Sequence, residues 1–156
     1  MAATSFQKEN AAAQAVEALR QGLGERLVAA VLFGSRARGE ARAESDWDLL
    51  VIARDLPRHL FERQLSLHTL LLGTAGAVSV LAKTPEEFES HLTSLYLDIA
   101  TDGQVLYDPS GYAAARVNTL RSIIRRLGLY RKRTPAGDVW RWRHPPAQPW
   151  KLDWRA

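Results

Sequence analysis

"VLFGSRARGEARAESDWDLLVI" (residues 31–52) sets two apolar runs on either side of a polar loop. The first run, Leu27 to Phe33, is apolar throughout, as a strand buried on both faces requires. It breaks at Gly34-Ser35. The second run, Asp46 to Ala53, opens on two carboxylates with a single tryptophan between them. Ionised carboxylates resist desolvation, so a buried strand that begins with two of them calls for a compensating cation. On a strand, residues i and i+2 face the same side. Asp46 and Asp48 are therefore expected to project together, about 6–7 Å apart at Cα, while Trp47 turns to the opposite face. Such a pair suits Mg²⁺, which takes oxygen ligands and leaves its other positions to water and substrate phosphates. One or two such ions can clamp the attacking and leaving oxygens of a phosphoryl or nucleotidyl transfer.

Gly34-Ser35 supplies the other half of that chemistry. Gly34 permits a tight turn and a close backbone approach. Ser35 offers a hydroxyl at the start of a short helical segment, where backbone N–H groups suit phosphate. Arg36 and Arg38 add positive charge against a triphosphate. Ser45 is placed to cap the turn that leads into Asp46.

Outward from this stretch, helices and strands alternate. Gln7 to Gln21 reads as a helix stopped by Gly22 and Gly24. Pro57 to Leu72 reads as a second, with Pro57 at its start, and Ala77 to Lys83 as a third strand. In "TPEEF", Thr84 is a candidate N-cap, Pro85 the first helical residue and Glu87 the reciprocal member of a capping box. Leu92 to Ala100 is helical, Gln104 to Tyr107 a short strand, and Tyr112 to Leu127 a helix ended by Gly128. "DVWRWRH" alternates as a strand and is expected to pair with "WKLDWR" across "PPAQP". The order predicts an α/β fold with a small mixed sheet flanked by helices. Residues 1–108 form the domain, and residues 109–156 a C-terminal helix and Trp-rich tail packed on it.

The 156 residues carry a net charge of +4, unevenly spread. Residues 1–115 balance to −5 and residues 116–156 to +9, so the partner of the basic tail need not be that of the body. No cysteine is present, which excludes disulfides and thiolate metal sites and points to a reducing, cytoplasmic setting. No run is long enough for a membrane span, and the first twenty residues do not pattern as a secretion signal.

Taken together, Gly34-Ser35, ten intervening residues and Asp46-Trp47-Asp48 between apolar strands resemble the nucleotidyltransferase superfamily that includes DNA polymerase beta. The spacing is similar to that of minimal nucleotidyltransferases, small antitoxin-type proteins paired with HEPN-domain toxins. The resemblance covers residues 27–53, and the α/β order to about residue 108 is compatible with it. It implies that Gly34 and Ser35 hold nucleotide phosphates and that Asp46 and Asp48 hold Mg²⁺. It further implies transfer of AMP from ATP to a tyrosine of a HEPN-type toxin.

The family's third carboxylate lies on the next strand, where this chain reads "AVSVLAK" and the matching position is Ser79. A serine is neither an anionic ligand nor an ordinary base, and loss of a general base costs about 10²–10⁴ in rate. Asp98 is the candidate substitute. Glu86 and Glu87 are better explained as helix N-terminal charges, and Asp102 as a turn residue. His59, His68, His91 and His144 show no metal-ligand spacing.

Three functions compete on this reading. The first is a Mg²⁺-dependent nucleotidyltransferase using ATP or another NTP on a protein hydroxyl. The second is a nucleotide-binding module that lost its chemistry at Ser79 and acts by binding its partner. The third is an aminoglycoside-type nucleotidyltransferase, for which the chain has little room. The tail is expected to bury its tryptophans on the sheet. Docking of a partner, self-association and binding of nucleic acid are the alternatives, the last not favoured.

Overall fold

A computed structural model describes residues 11–155. Helix α1 (Ala11–Leu23) leads through a single 3-10 turn into strand β1 (Leu27–Phe33). A one-turn helix α2 (Gly34–Ala37) and an irregular loop return the chain to β2 (Trp47–Ala53). Then follow α3 (Leu60–Leu70), β3 (Val78–Lys83), α4 (Pro85–Ser90), α5 (Ser94–Asp102) and β4 (Gln104–Tyr107). Helix α6 (Tyr112–Arg126) and a hairpin, β5 (Leu129–Thr134) with β6 (Gly137–Trp142), complete the regular structure.

The main sheet runs β3-β2-β1-β4. β1 pairs antiparallel with β2 and β4, and β2 pairs parallel with β3, so the sheet is mixed and flanked by helices as the alternation predicts. β1 and β2 are central and almost wholly buried. Their side chains divide between two cores. Leu49 and Val51 meet α1 and α3 residues such as Leu19 and Leu67 on one face. Val31, Leu50 and Ile52 meet Phe88, Leu97, Ile99 and Leu120 of α4, α5 and α6 on the other.

The capping box before α4 forms as expected: Thr84 accepts from the Glu87 amide, and the Glu87 carboxylate accepts from the Thr84 amide. That carboxylate also receives both terminal nitrogens of Arg63 at 2.8 Å, and Arg63 itself is 2% exposed. α3 starts at Leu60 rather than Pro57. The Pro57 carbonyl is instead drawn to Arg63 Nε at 2.9 Å. The expected start of the first helix at Gln7 lies outside the described residues.

The tail departs from the expected pairing. β6 pairs with β5, "LYRKRT", and not with "WKLDWR". A two-residue connection, Pro135-Ala136, joins the strands, whereas the prolines at 145, 146 and 149 have no N–H to donate to a ladder. The hairpin presents Leu129, Arg131 and Trp140 to the body. Arg131 reaches Asp98 at 3.2 Å and Asp102 at 2.5 and 3.0 Å. Trp140, its cross-strand partner, donates to the same Asp98 at 3.0 Å. Trp154 lies against Phe88 and Tyr96 and donates to the Phe88 carbonyl. The tail tryptophans therefore pack chiefly on the helical layer covering the sheet, and the −5 and +9 halves meet within one molecule.

Candidate functional site: the end of the central strands

β1 ends at Phe33, and Gly34 at once takes φ +74°, a conformation that costs an L side chain about 1–2 kcal/mol. Opposite lies Asp48, which pairs with Phe33 in the antiparallel register. A Cβ at Gly34 would run into the Asp48 carboxylate. Glycine is thus required twice, for the turn and for the carboxylate that sits on it. Ser35 follows in α2, partly exposed.

Asp46 lies just before β2 and is exposed, and Asp48 is its second residue and half-buried. Trp47 between them is buried in the α1–α3 core, so Asp48 faces the other way, as the alternation requires. Burial raises the Asp48 pKa above the ordinary carboxylate value, the Asp46 charge raises it further, and Arg38 opposes both. Two carboxylates, one desolvated and each repelling the other, form a site whose charge a cation would relieve.

The loop between the strands is locked from beneath. Arg36 donates to the Ser45 carbonyl at 3.0 and 2.6 Å and stacks on the Trp47 ring, 4.4 Å from its centroid. In this arrangement its guanidinium holds the residue before Asp46. Ser45 caps the turn as anticipated, its hydroxyl accepting from the Arg42 amide at 2.9 Å. Arg38, its side chain 28% exposed, pairs with Glu40 at 3.0 Å.

Ser79 is the parallel register partner of Asp48 and is exposed at the same end of the sheet. The position at which a third carboxylate is expected carries a hydroxyl here. Asp98 does not substitute, since it is held by Arg131 and Trp140. Among the described residues no group of three or more His, Cys, Asp or Glu is arranged to hold a metal ion. The pair of oxygen donors, with Ser79 beside it, still fits a small hard cation that draws its other ligands from water and phosphate.

Sequence reasoning missed a cleft that borders the loop between β1 and β2. Arg38, Glu40 and Arg42 line a cleft of about 780 Å³ whose opposite wall is the hairpin, with Arg131, Arg133 and Asp138, and to which α5 adds Asp98. Glu40 bridges the two sides, accepting from Arg38 at 3.0 Å and Arg133 at 2.7 Å. The signal was present in the opposed charges of body and tail, which cannot by themselves say which residues meet.

Comparison with known proteins agrees with this geometry. Residues 17–110 match the family model described as polymerase beta, nucleotidyltransferase. Two proteins of Methanocaldococcus jannaschii, each named "Putative protein adenylyltransferase", are similar in sequence. One is 30% identical over 113 residues, 69% of this chain and 77% of its own. The other is 32% identical over 102 residues, 64% of this chain and 98% of its own. The chain belongs to the polymerase beta-type nucleotidyltransferase family. Its fold is also that of a chain from a toxin–antitoxin crystallised with AMP-PNP, with a TM-score of 0.56, 22% identity and coverage of 74% of this chain and 87% of the other. A chain from the structure of a tri-AMPylated Shewanella oneidensis HEPN toxin in complex with an MNT antitoxin is similar too, with a TM-score of 0.52, 21% identity and coverage of 78% of this chain and 88% of the other. No helix among the described residues is long and apolar enough to cross a membrane.

Proposed function

We propose that the protein transfers AMP from ATP to a tyrosine of a partner protein, a HEPN-type toxin. The observation that supports this most is the placement of the Asp48 carboxylate directly on the Gly34 turn, with Asp46 beside it. Gly34 and Ser35 receive the phosphates. Asp46 and Asp48 hold Mg²⁺, which when bound neutralises charge on the triphosphate and polarises its phosphorus. Arg36 and Ser45 position the loop, and Arg38 adds positive charge at its rim. The acceptor oxygen attacks the α-phosphorus, the bond to pyrophosphate breaks, and the acceptor's proton leaves to water. A phenol with a pKa near 10 needs less help in losing that proton than an aliphatic hydroxyl does. Tyrosine is therefore the acceptor best suited to a site with serine at position 79. The names of the Methanocaldococcus relatives and the toxin–antitoxin neighbours lend weight to a protein acceptor.

Ser79 favours one second reading, a nucleotide-binding module with little turnover that neutralises its partner by association. Co-expression with the candidate partner and intact-mass measurement separates the two. The enzyme reading expects AMP adducts on the partner that vanish with Asp48→Asn and increase with Ser79→Asp. A partner bound but unmodified by either wild type or Ser79→Asp would leave the binding module standing.

A further inference from the structure

A triphosphate seated on Gly34-Ser35 and the Asp46–Asp48 pair must direct its leaving end somewhere. Arg38 joins the site to the cleft beside it: its amide donates to the Gly34 carbonyl at 3.2 Å, and its side chain lines the cavity. At about 780 Å³ that cavity lies within the range of small-ligand sites, roughly 300–1,000 Å³. Against the carboxylates of Glu40, Asp98 and Asp138 it sets four guanidinium groups, Arg38 and Arg42 from the loop and Arg131 and Arg133 from the hairpin. These planar, permanently charged groups suit phosphate oxygens.

The four are not equivalent. Arg131 is bound to Asp98 and Asp102, so it anchors the hairpin to α5. Arg133 is 72% exposed at its side chain, is held toward the loop by Glu40 and pairs at 3.5 Å with Asp138 across its own hairpin. The Arg42 guanidinium has no hydrogen bond or ion pair among the described residues, although its backbone holds the Ser45 turn. Arg133 also lies outside residues 17–110, the stretch that matches the family.

We infer that the C-terminal hairpin is a working wall of the nucleotide site, with Arg133 and Arg42 gripping the β- and γ-phosphates that leave as pyrophosphate. The inference rests on the nucleotidyltransferase reading for the position of the α-phosphate. It assigns part of the basic tail to substrate rather than to packing alone.

The test compares binding of a fluorescent ATP analogue with that of the matching AMP analogue on the full chain, in Mg²⁺ and without turnover. Each Arg lost should weaken ATP binding by roughly tenfold, as expected for a charge-assisted hydrogen bond, and leave AMP binding unchanged, because AMP lacks the phosphates concerned. Arg133→Gln and Arg42→Gln are measured separately. Arg42→Gln guards against a hairpin displaced by loss of the Glu40 contact. Inorganic tripolyphosphate should displace the ATP analogue from wild type and do so less well from either variant. Equal loss of ATP and AMP binding in both variants would mean a structural role and overturn the inference. Unchanged ATP binding with a raised KM for the acceptor protein would give the cleft to the acceptor and overturn it as well. Failure of transfer to any partner, with the ATP-over-AMP preference lost in the variants, would remove the enzyme reading and leave the phosphate site in place.

Discussion

Gly34 carries two demands that no other residue meets: positive φ and a carboxylate where a Cβ would stand. Gly34→Ala should therefore destabilise the fold by about 1–2 kcal/mol and also displace Asp48. Chemical denaturation and Mg²⁺–ATP binding check the two effects separately. A variant with wild-type stability and wild-type binding would show that the turn does not govern the carboxylate. The turn, the paired carboxylates and the serine on the neighbouring strand were all legible in the sequence, because each is a departure from what an apolar strand would otherwise contain. The role of Arg36 was not. Its partners are a carbonyl nine residues away and the ring of Trp47, and nothing in local spacing distinguishes such a clamp from a phosphate ligand.

At the scale of elements, α4 joins the β3 side of the sheet through a single buried cation. Arg63 donates to the Pro57 and Ala82 carbonyls and to Glu87, so the loop before α3, strand β3 and the α4 cap share one hub. The Arg63 guanidinium is the main cause holding the Glu87 carboxyl down at about 2, with the Thr84 amide assisting. A depressed carboxyl stabilises the fold above its unfolded pKa and loses that contribution as pH falls through the folded value. Stability from this group should thus be complete above about pH 4.5 and decline towards pH 2. Glu87→Gln should lower stability at pH 7 and flatten the acid limb of a stability–pH profile. A variant that melts as wild type does at pH 7, with the same acid limb, would remove Arg63–Glu87 from the account. The capping box was readable from "TPEEF", being local. Arg63 was not, since its partners lie up to 24 residues away. The hairpin was half-read for a related reason: "LYRKRT" presents as a charge run until Asp98, Asp102 and Glu40 are brought opposite it.

For the whole molecule, the basic tail is tied to the acidic body by Arg131 and Arg133 and by tryptophans seated on α4 and α5. Deleting residues 129–156 should expose Phe88 and Tyr96, and burial of each large apolar side chain is worth roughly 1.5–3 kcal/mol. The melting temperature should fall by several degrees or more; a truncated chain that melts as the full chain does would make the tail an appendage. The order of strands and helices could be read from periodicity, whereas the cleft between loop and tail could not, because it exists only once distant charges are paired. The central claim is that Asp46 and Asp48 form the cation-dependent seat of a nucleoside triphosphate. Calorimetric titration of ATP into the full chain, with Mg²⁺ and then with EDTA, tests it most directly, repeated on the Asp46→Asn, Asp48→Asn double variant. The account predicts Mg²⁺-dependent binding by wild type and none by the double variant. Binding of equal strength in both, or binding by wild type that is indifferent to Mg²⁺, would contradict it.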